Sequence, residues 1–333
     1  MRTKGIFLSN RPEALHSVWR GEQKCRLREH IDIPDMVVGA EDITGMAENL
    51  HDVEVVFSTW GMPSLTSAQL DLLPRLRAVF YAAGSVKSFA TPLLERGIIV
   101  ASAWTANAIP VAEYTLSQIL FGLKAGWQHV RAFQDKPGPE SWRHLEIRED
   151  SNSTVGIVSL GQIGCKVCEL LEPFAVTKLA YDPYVSTFTL RKYKAEQVSL
   201  EELFVRSDVV TVHAPLLKAT EGLITGALIS SMKPNATIIN TSRGAVICEN
   251  ELIEVLRQRL DIVAVLDVTH PEPPAVGSPL YSLRNIILTP HIAGSIGNEV
   301  RRMADWMIDE FISWQTGRPL RYAITLEMAE IMA

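Results

Sequence analysis

The stretch Thr154-Val155-Gly156-Ile157-Val158-Ser159-Leu160-Gly161-Gln162-Ile163-Gly164 decides the fold. Val155 to Val158 is a short apolar run that reads as a buried strand, and from Ile163 onward Val167, Leu170 and Leu171 recur at helical spacing. Strand, glycine turn and helix therefore follow in order. The N-terminus of such a helix offers unpaired N–H groups and the positive end of its dipole to a pyrophosphate. In that setting Gly161 lets the backbone approach the phosphates and Gly164 lets helix and strand pack closely, with Gln162 and Ile163 completing the cradle. Asp182 ends the next apolar run about 20 residues further on, where a carboxylate accepts hydrogen bonds from the adenosine ribose. The combination is a dinucleotide fingerprint, and the carboxylate disfavours a 2′-phosphate, so NAD rather than NADP is the expected cofactor. One position departs from the pattern. Ser159 stands where the first glycine belongs, and its Cβ is expected to be tolerated through a negative φ.

Working outward, Lys178 to Tyr181 reads as a second strand, and Ser199 with Glu202 forms a capping-box signature before the strand Val209 to Val212. Thr237 to Ile239, a helix Glu251 to Arg259, Ile262 to Leu266 and Ile286 to Leu288 continue the alternation. Short apolar strands separated mostly by helices indicate a parallel sheet covered on both faces. A smaller alternation precedes it, with strands at Ile6 to Leu8, Val53 to Phe57, Ala78 to Tyr81 and Ile98 to Ala101, and a helix at Ser67 to Leu73. Between the two lies a long helix, Val111 to Val130, suited to joining domains or pairing subunits. A last amphipathic helix, Glu299 to Trp314, is expected to return to the first domain. The expected class is α/β: two Rossmann-like domains with doubly wound parallel sheets and a cleft between them, residues 1–105 plus 297–333 forming one and 106–296 the other.

Composition narrows the function. The 333 residues suffice for about two domains with cores of their own. Lys and Arg number 32 against 38 Asp and Glu, a formal net charge of −6, which argues against a nucleic-acid partner. The uncharged stretch Ile98 to Ala112 is short for a bilayer and holds Asn107 and Pro110, and the apolar run Gly5 to Leu8 is too short for a signal-peptide core. No membrane partner is expected, and the default location is the cytoplasm. Four cysteines do not make a disulfide framework. Cys165 and Cys168 form a lone C-x-x-C without further ligands, so no metal is expected; they read as structural helix residues, although a first-turn position should lower the Cys165 thiol pKa and leave it open to oxidation.

In an open parallel sheet the ligand lies beyond the carboxyl ends of the strands. Those ends are polar here: His213-Ala214-Pro215, Asn240-Thr241-Ser242-Arg243-Gly244, Asp267, and Thr289-Pro290-His291. Together with Thr154 to Gly164, Tyr181-Asp182-Pro183-Tyr184, the run Ser207 to Pro215, the run Met232 to Gly244, Leu266-Asp267-Val268, Pro271-Glu272-Pro273 and Asn285 to His291, they resemble the D-isomer-specific 2-hydroxyacid dehydrogenases. Val111-Ala112-Glu113 and Leu94 to Ile98 look like that family's connecting segments, so the resemblance covers nearly the whole chain. It implies a flavodoxin-like substrate-binding first domain, an NAD-binding second domain, a homodimer, and a small 2-oxo or 2-hydroxy acid as substrate.

Carried onto matching positions, the resemblance implies that Arg243 binds the carboxylate and carbonyl oxygens of the substrate, that His291 moves the proton, and that Glu272 pairs with His291. The residue types suit the chemistry. A histidine titrates near working pH, a hydrogen-bonded carboxylate fixes its tautomer and should raise its pKa, and a guanidinium grips a carboxylate with two bonds. Asp267 resembles the family aspartate beside the nicotinamide carboxamide, while His213, Ala214, Pro215, Thr241 and Ser242 are expected to enclose the cofactor. Gly84 and Ser85 occupy a loop whose backbone amides hold the substrate carboxylate in the family; the residues around them depart from its usual pattern. Trp60 is a candidate for the cleft or the core, and Lys87 alone does not make a phosphate site. Formate dehydrogenases partner their histidine with glutamine, which Glu272 disfavours. The alternative from another class is a non-catalytic NAD(H)-sensing scaffold like the corepressors that share this fold.

Overall fold

The computed structural model describes residues 2–135, Gly138 and 153–332, which divide into two compact units, Met1–Ala108 with Ser295–Ala333, and Ile109–Gly294. The first unit is built on β1 (Gly5–Leu8), β2 (Val37–Val38), β3 (Val55–Ser58), β4 (Ala78–Tyr81) and β5 (Ile99–Ser102), all parallel in the order β2-β1-β3-β4-β5. That order is flavodoxin-like. β2 was not visible as a strand in the sequence because two residues carry no periodicity.

One face of this sheet packs against the helix Val300–Gln315, which buries Val300, Met303, Ala304, Met307, Ile308 and Phe311. Phe311 meets Phe57 and Phe80 edge to face at 5.3 and 5.7 Å, and Trp19 closes the same aromatic group against Phe57 at 5.3 Å. A chain that leaves the second unit after its last strand thus returns to fill a core it began building in its first hundred residues. Glu310, fully buried on that helix, accepts the Arg321 and Tyr322 N–H groups at 2.9 and 3.0 Å. The segment so pinned bonds the free edge of β5, through Ser102 N–H to Tyr322 O and Ile324 N–H to Val100 O.

The second unit is built on β6 (Ser153–Val158), β7 (Val176–Tyr181), β8 (Ala195–Gln197), β9 (Val209–Val212), β10 (Thr237–Asn240), β11 (Val263–Leu266) and β12 (Ile286–Leu288), parallel in the order β12-β11-β10-β9-β6-β7-β8. Read from β8, this is the doubly wound dinucleotide-binding order with one strand added, and its switch point lies between β6 and β9. The sheet therefore has seven strands where six apolar runs were read. The seventh, β8, is the polar edge strand Ala195-Glu196-Gln197, which buries too little to show an apolar pattern; Lys194, at φ +52, turns the chain into it.

Two local expectations are corrected. The single helix expected over Val111 to Val130 is two, Trp104–Gly122 and Gly126–Asp135, with Ala125 at φ +45 between them. Phe121 folds over Gly126 and meets Trp127 edge to face at 4.8 Å, so apolar residues continue straight through the break and hide it from periodicity. The capping box at Ser199 is half formed. The Ser199 hydroxyl accepts the Glu202 N–H at 3.1 Å, but the Glu202 carboxylate bonds Arg206 one turn on, at 2.5 Å. Among the described residues no helix is long and apolar enough to cross a membrane.

Candidate active site

The glycine turn after β6 carries the first surprise. Ser159 has φ +74, not the negative value expected, so an L side chain sits in the left-handed region at a cost of about 1–2 kcal/mol. The surroundings impose it. Ser159 N–H bonds Tyr181 O at 2.8 Å, and the next amide, Leu160 N–H, reaches Asp182 Oδ2 at 2.8 Å, so the turn is held from β7 on both sides. The Ser159 hydroxyl adds a long bond to the same oxygen, 3.4 Å. Replacing Ser159 with glycine should relieve the strain, offset partly by the entropy of glycine, for a net gain of roughly 0.5–1 kcal/mol. Urea denaturation checks this, and a loss of stability would show that the hydroxyl outweighs the strain.

Gly164, in the helix Gln162–Leu170, is needed for close packing: a Cβ there would lie 2.2 Å from the Ser159 carbonyl oxygen. Around Gly161, the N-cap, a Cβ would meet nothing within 4 Å. The two glycines thus do different things, one admitting the strand and the other leaving open the approach to the helix N-terminus. Asp182 does more than the sequence suggested. Besides Leu160 N–H it accepts Tyr184 N–H at 2.9 Å, so it braces the turn as well as standing at the end of β7 where a ribose is read.

Cys165 and Cys168 are free thiols, and burial pushes the Cys165 pKa up, contrary to the lowering expected from the helix dipole. Its Sγ donates to Leu160 O at 3.1 Å, which holds the proton on sulfur. Burial pushes Cys168 up to about 12. Neither is an activated thiol, and no cluster of metal-ligating side chains occurs among the described residues. His213, at the end of β9, is buried; burial takes its pKa down to about 3, and the ring is neutral. Its Nε2 meets Thr211 Oγ1 at 3.0 Å, while Nδ1 is buried without a partner. An orphaned polar atom at the carboxyl end of a strand beside the switch point, with the open approach at Gly161, fits a bound dinucleotide. Ala214 is buried, and the Pro215 carbonyl accepts Thr220 Oγ1 at 2.5 Å.

Arg243 follows β10 in an extended conformation, and its loop is organised by Asn240, 1% exposed. Asn240 Oδ1 accepts both the N–H and the hydroxyl of Ser242, at 3.0 and 2.8 Å, and its Nδ2 donates to Arg243 O at 3.0 Å. Thr241 bonds Thr115 at 3.2 Å. Gly244 is obligatory, since a Cβ there would lie 2.0 Å from the Thr269 carbonyl carbon. Arg243 itself donates to Ser242 O at 2.7 Å; burial lowers its pKa and the Glu272 carboxylate opposes that, leaving a cation with most of its donors uncommitted.

His291 lies beyond β12 at φ +54, and its Nδ1 meets Glu272 Oε1 at 2.5 Å. Asp267, 2% exposed, shapes the loop that carries it. The carboxylate accepts Thr289 Oγ1 at 2.6 Å and the N–H groups of Ile292 and Ala293 at 2.8 and 2.9 Å, while its carbonyl accepts His291 N–H at 3.0 Å. Thr289 spends its proton on Asp267, so Tyr114, 3.0 Å away, is the donor to Thr289. Asp267 therefore positions the His291 loop, a role the sequence did not reveal. Asn240 and Thr289, read among the polar strand ends, were given no role of their own, and Tyr114 was missed; a buried Asn ending an otherwise apolar strand was the available signal for the first.

In the first unit, the loop after β4 holds Gly84 and Ser85, both half-buried. Trp60, after β3, packs against both apolar clusters of that unit and belongs largely to the core. The second unit thus holds Arg243 and the hydrogen-bonded Glu272–His291 pair, and the residues expected to hold the cofactor follow the carboxyl ends of its strands; Gly84 and Ser85 belong to the other unit.

Residues 122–293 match the family described as D-isomer specific 2-hydroxyacid dehydrogenase, NAD binding domain. A D-3-phosphoglycerate dehydrogenase of Archaeoglobus fulgidus is 31% identical over 237 residues, 71% of this chain and 44% of that protein. A hydroxypyruvate reductase of Blautia hydrogenotrophica is 29% identical over 231 residues, 68% of this chain and 71% of the other. The chain spans about half the length of the phosphoglycerate dehydrogenases it matches. In fold it is similar to a phosphoglycerate oxidoreductase of Rhizobium etli, with a TM-score of 0.78 at 24% identity over 97% of this chain and 98% of that one.

Proposed function

The chain belongs to the D-isomer specific 2-hydroxyacid dehydrogenase family, and from that premise we propose that it is an NAD-dependent reductase of small 2-oxo acids, or dehydrogenase of the matching D-2-hydroxy acids. The observation that carries the reading is the His291–Glu272 pair at 2.5 Å, together with an Arg243 whose donors are mostly uncommitted. Gly161, Gln162, Ile163 and Gly164 would hold the pyrophosphate of NAD and Asp182 its ribose, with His213, Ala214, Pro215, Thr241, Ser242 and Asp267 around the rest. When bound, the cofactor delivers or receives a hydride at C2 of the substrate.

The chain supplies the rest. Glu272 occupies Nδ1 of His291, which leaves Nε2 as the nitrogen that gives a proton to the C2 oxygen in reduction and takes it back in oxidation. Arg243 holds the carboxylate and the C2 oxygen and stabilises the charge that develops on that oxygen. In the first unit, the Gly84 and Ser85 amides are donors suited to a substrate carboxylate. The substrate is a 2-oxo acid whose C3 substituent carries no obligatory phosphate, since the loops Ser58 to Pro63 and Ala82 to Lys87 hold a single basic residue, Lys87.

The test follows NADH absorbance with glyoxylate, hydroxypyruvate, pyruvate, phenylpyruvate and 3-phosphohydroxypyruvate, with NADPH as the control. Oxidation of NADH in preference to NADPH by one of the unphosphorylated acids is the expected result. NADH binding without turnover of any acid would overturn the catalytic reading in favour of a sensing scaffold, and absence of binding would overturn the cofactor assignment.

A further inference from the structure

Ser102 ends β5 fully buried, and its one hydroxyl is shared between two carbonyls of the loop after β4, Ala83 O at 2.9 Å and Gly84 O at 2.6 Å. In a trans peptide the C=O and N–H of one plane point in opposite directions. The Ala83 carbonyl shares its plane with Gly84 N–H, and the Gly84 carbonyl shares its plane with Ser85 N–H. Both carbonyls converge on one oxygen atom, so both N–H groups face away from it, on one side of the loop. Neither has a hydrogen-bond partner among the described residues. Unpaired backbone N–H groups in partly buried positions are uncommon, and two in succession on the same side form a concave site for an anion.

Ser102 is itself fixed from two directions. It pairs in register with Tyr81 of β4, which places it beside the loop, and its N–H is held by Tyr322 O on the far edge. We propose that Ser102 is a positioning residue that keeps the Gly84 and Ser85 amides turned toward the carboxylate of the 2-oxo acid, an inference that rests on the function proposed above. Without the hydroxyl nothing among the described residues anchors the two carbonyls. Either peptide plane can then rotate and present an oxygen to the anion where a donor is needed.

Ser102 does not touch the reacting atoms, so its loss acts on affinity for the acid more than on turnover. In Ser102→Ala the KM for the best 2-oxo acid is expected to rise about 10-fold, with kcat within about 3-fold and NADH affinity by fluorescence unchanged. Ser102→Thr, which keeps the hydroxyl, is expected to recover most of the affinity. An unchanged KM in Ser102→Ala overturns the positioning role while leaving the proposed function standing. Should both variants fail to fold, amide hydrogen exchange on the wild-type protein with NADH decides. Slowing by oxamate in the peptide spanning residues 83–86 supports the proposal, and no slowing at saturating oxamate overturns it. Wild-type protein that neither turns over a 2-oxo acid nor binds oxamate sinks the proposed function and this inference with it.

Discussion

Replacing Arg243 with alanine is expected to lower kcat/KM for a 2-oxo acid by about three orders of magnitude, with NADH binding retained. The side chain is half-buried and commits one N–H to Ser242 O, and its remaining donors have no hydrogen-bond partner among the described residues. A partly desolvated cation opposite a substrate carboxylate gains charge-assisted hydrogen bonds that water does not match, and bonds to the C2 oxygen strengthen as charge develops there. Both the Michaelis complex and the transition state lose in the variant, so KM should rise and kcat should fall. Lysine restores charge but not the fork, and Arg243→Lys is expected to recover only part of the loss. Removing a half-buried cation also relieves its partial desolvation, so the fold should survive; circular dichroism and thermal melting serve as the control. A folded Arg243→Ala variant with turnover within a few-fold of wild type would refute the role.

The second large effect concerns proton transfer. His291→Asn should cut kcat by about 10²–10⁴, the range for loss of a positioned acid–base, while the NADH dissociation constant changes little. Asparagine tolerates the left-handed φ of +54 that this position adopts, so the loop, held independently by Asp267, should keep its shape. The expected signature is a fall in kcat with intact cofactor fluorescence. If turnover persisted at the wild-type rate, the proton would have to come from elsewhere, and Glu272 would lose its assigned purpose as the group that orients the ring.

Much of the architecture was legible because it is written in local patterns. Buried parallel strands need apolar runs, and a pyrophosphate cradle needs small residues where strand gives way to helix. Arg243 and His291 were legible for a related reason: polar groups at the carboxyl ends of apolar strands stand out against their surroundings, whereas Glu272 was read from the family resemblance. β8 was illegible because a polar edge strand has the composition of a loop. The break at Ala125 was illegible because Phe121 and Trp127 keep the apolar pattern running through it.

What the amino-acid sequence determined by itself was therefore the class of fold and the place of the dinucleotide fingerprint; Arg243, Glu272 and His291 are proposed for chemistry through the family resemblance that their motifs carry. Tertiary structure alone decided the sign of φ at Ser159, which follows from bonds to Tyr181 and Asp182 on a neighbouring strand. It also set the direction of the Cys165 pKa, where burial outweighs the helix dipole, and turned Asp267 toward four loop residues that donate to its carboxylate and carbonyl. The physical reason is common to all three. Spacing along the chain reports which face a side chain occupies, whereas strain, desolvation and the choice of hydrogen-bond partner depend on distances between segments that only folding brings together.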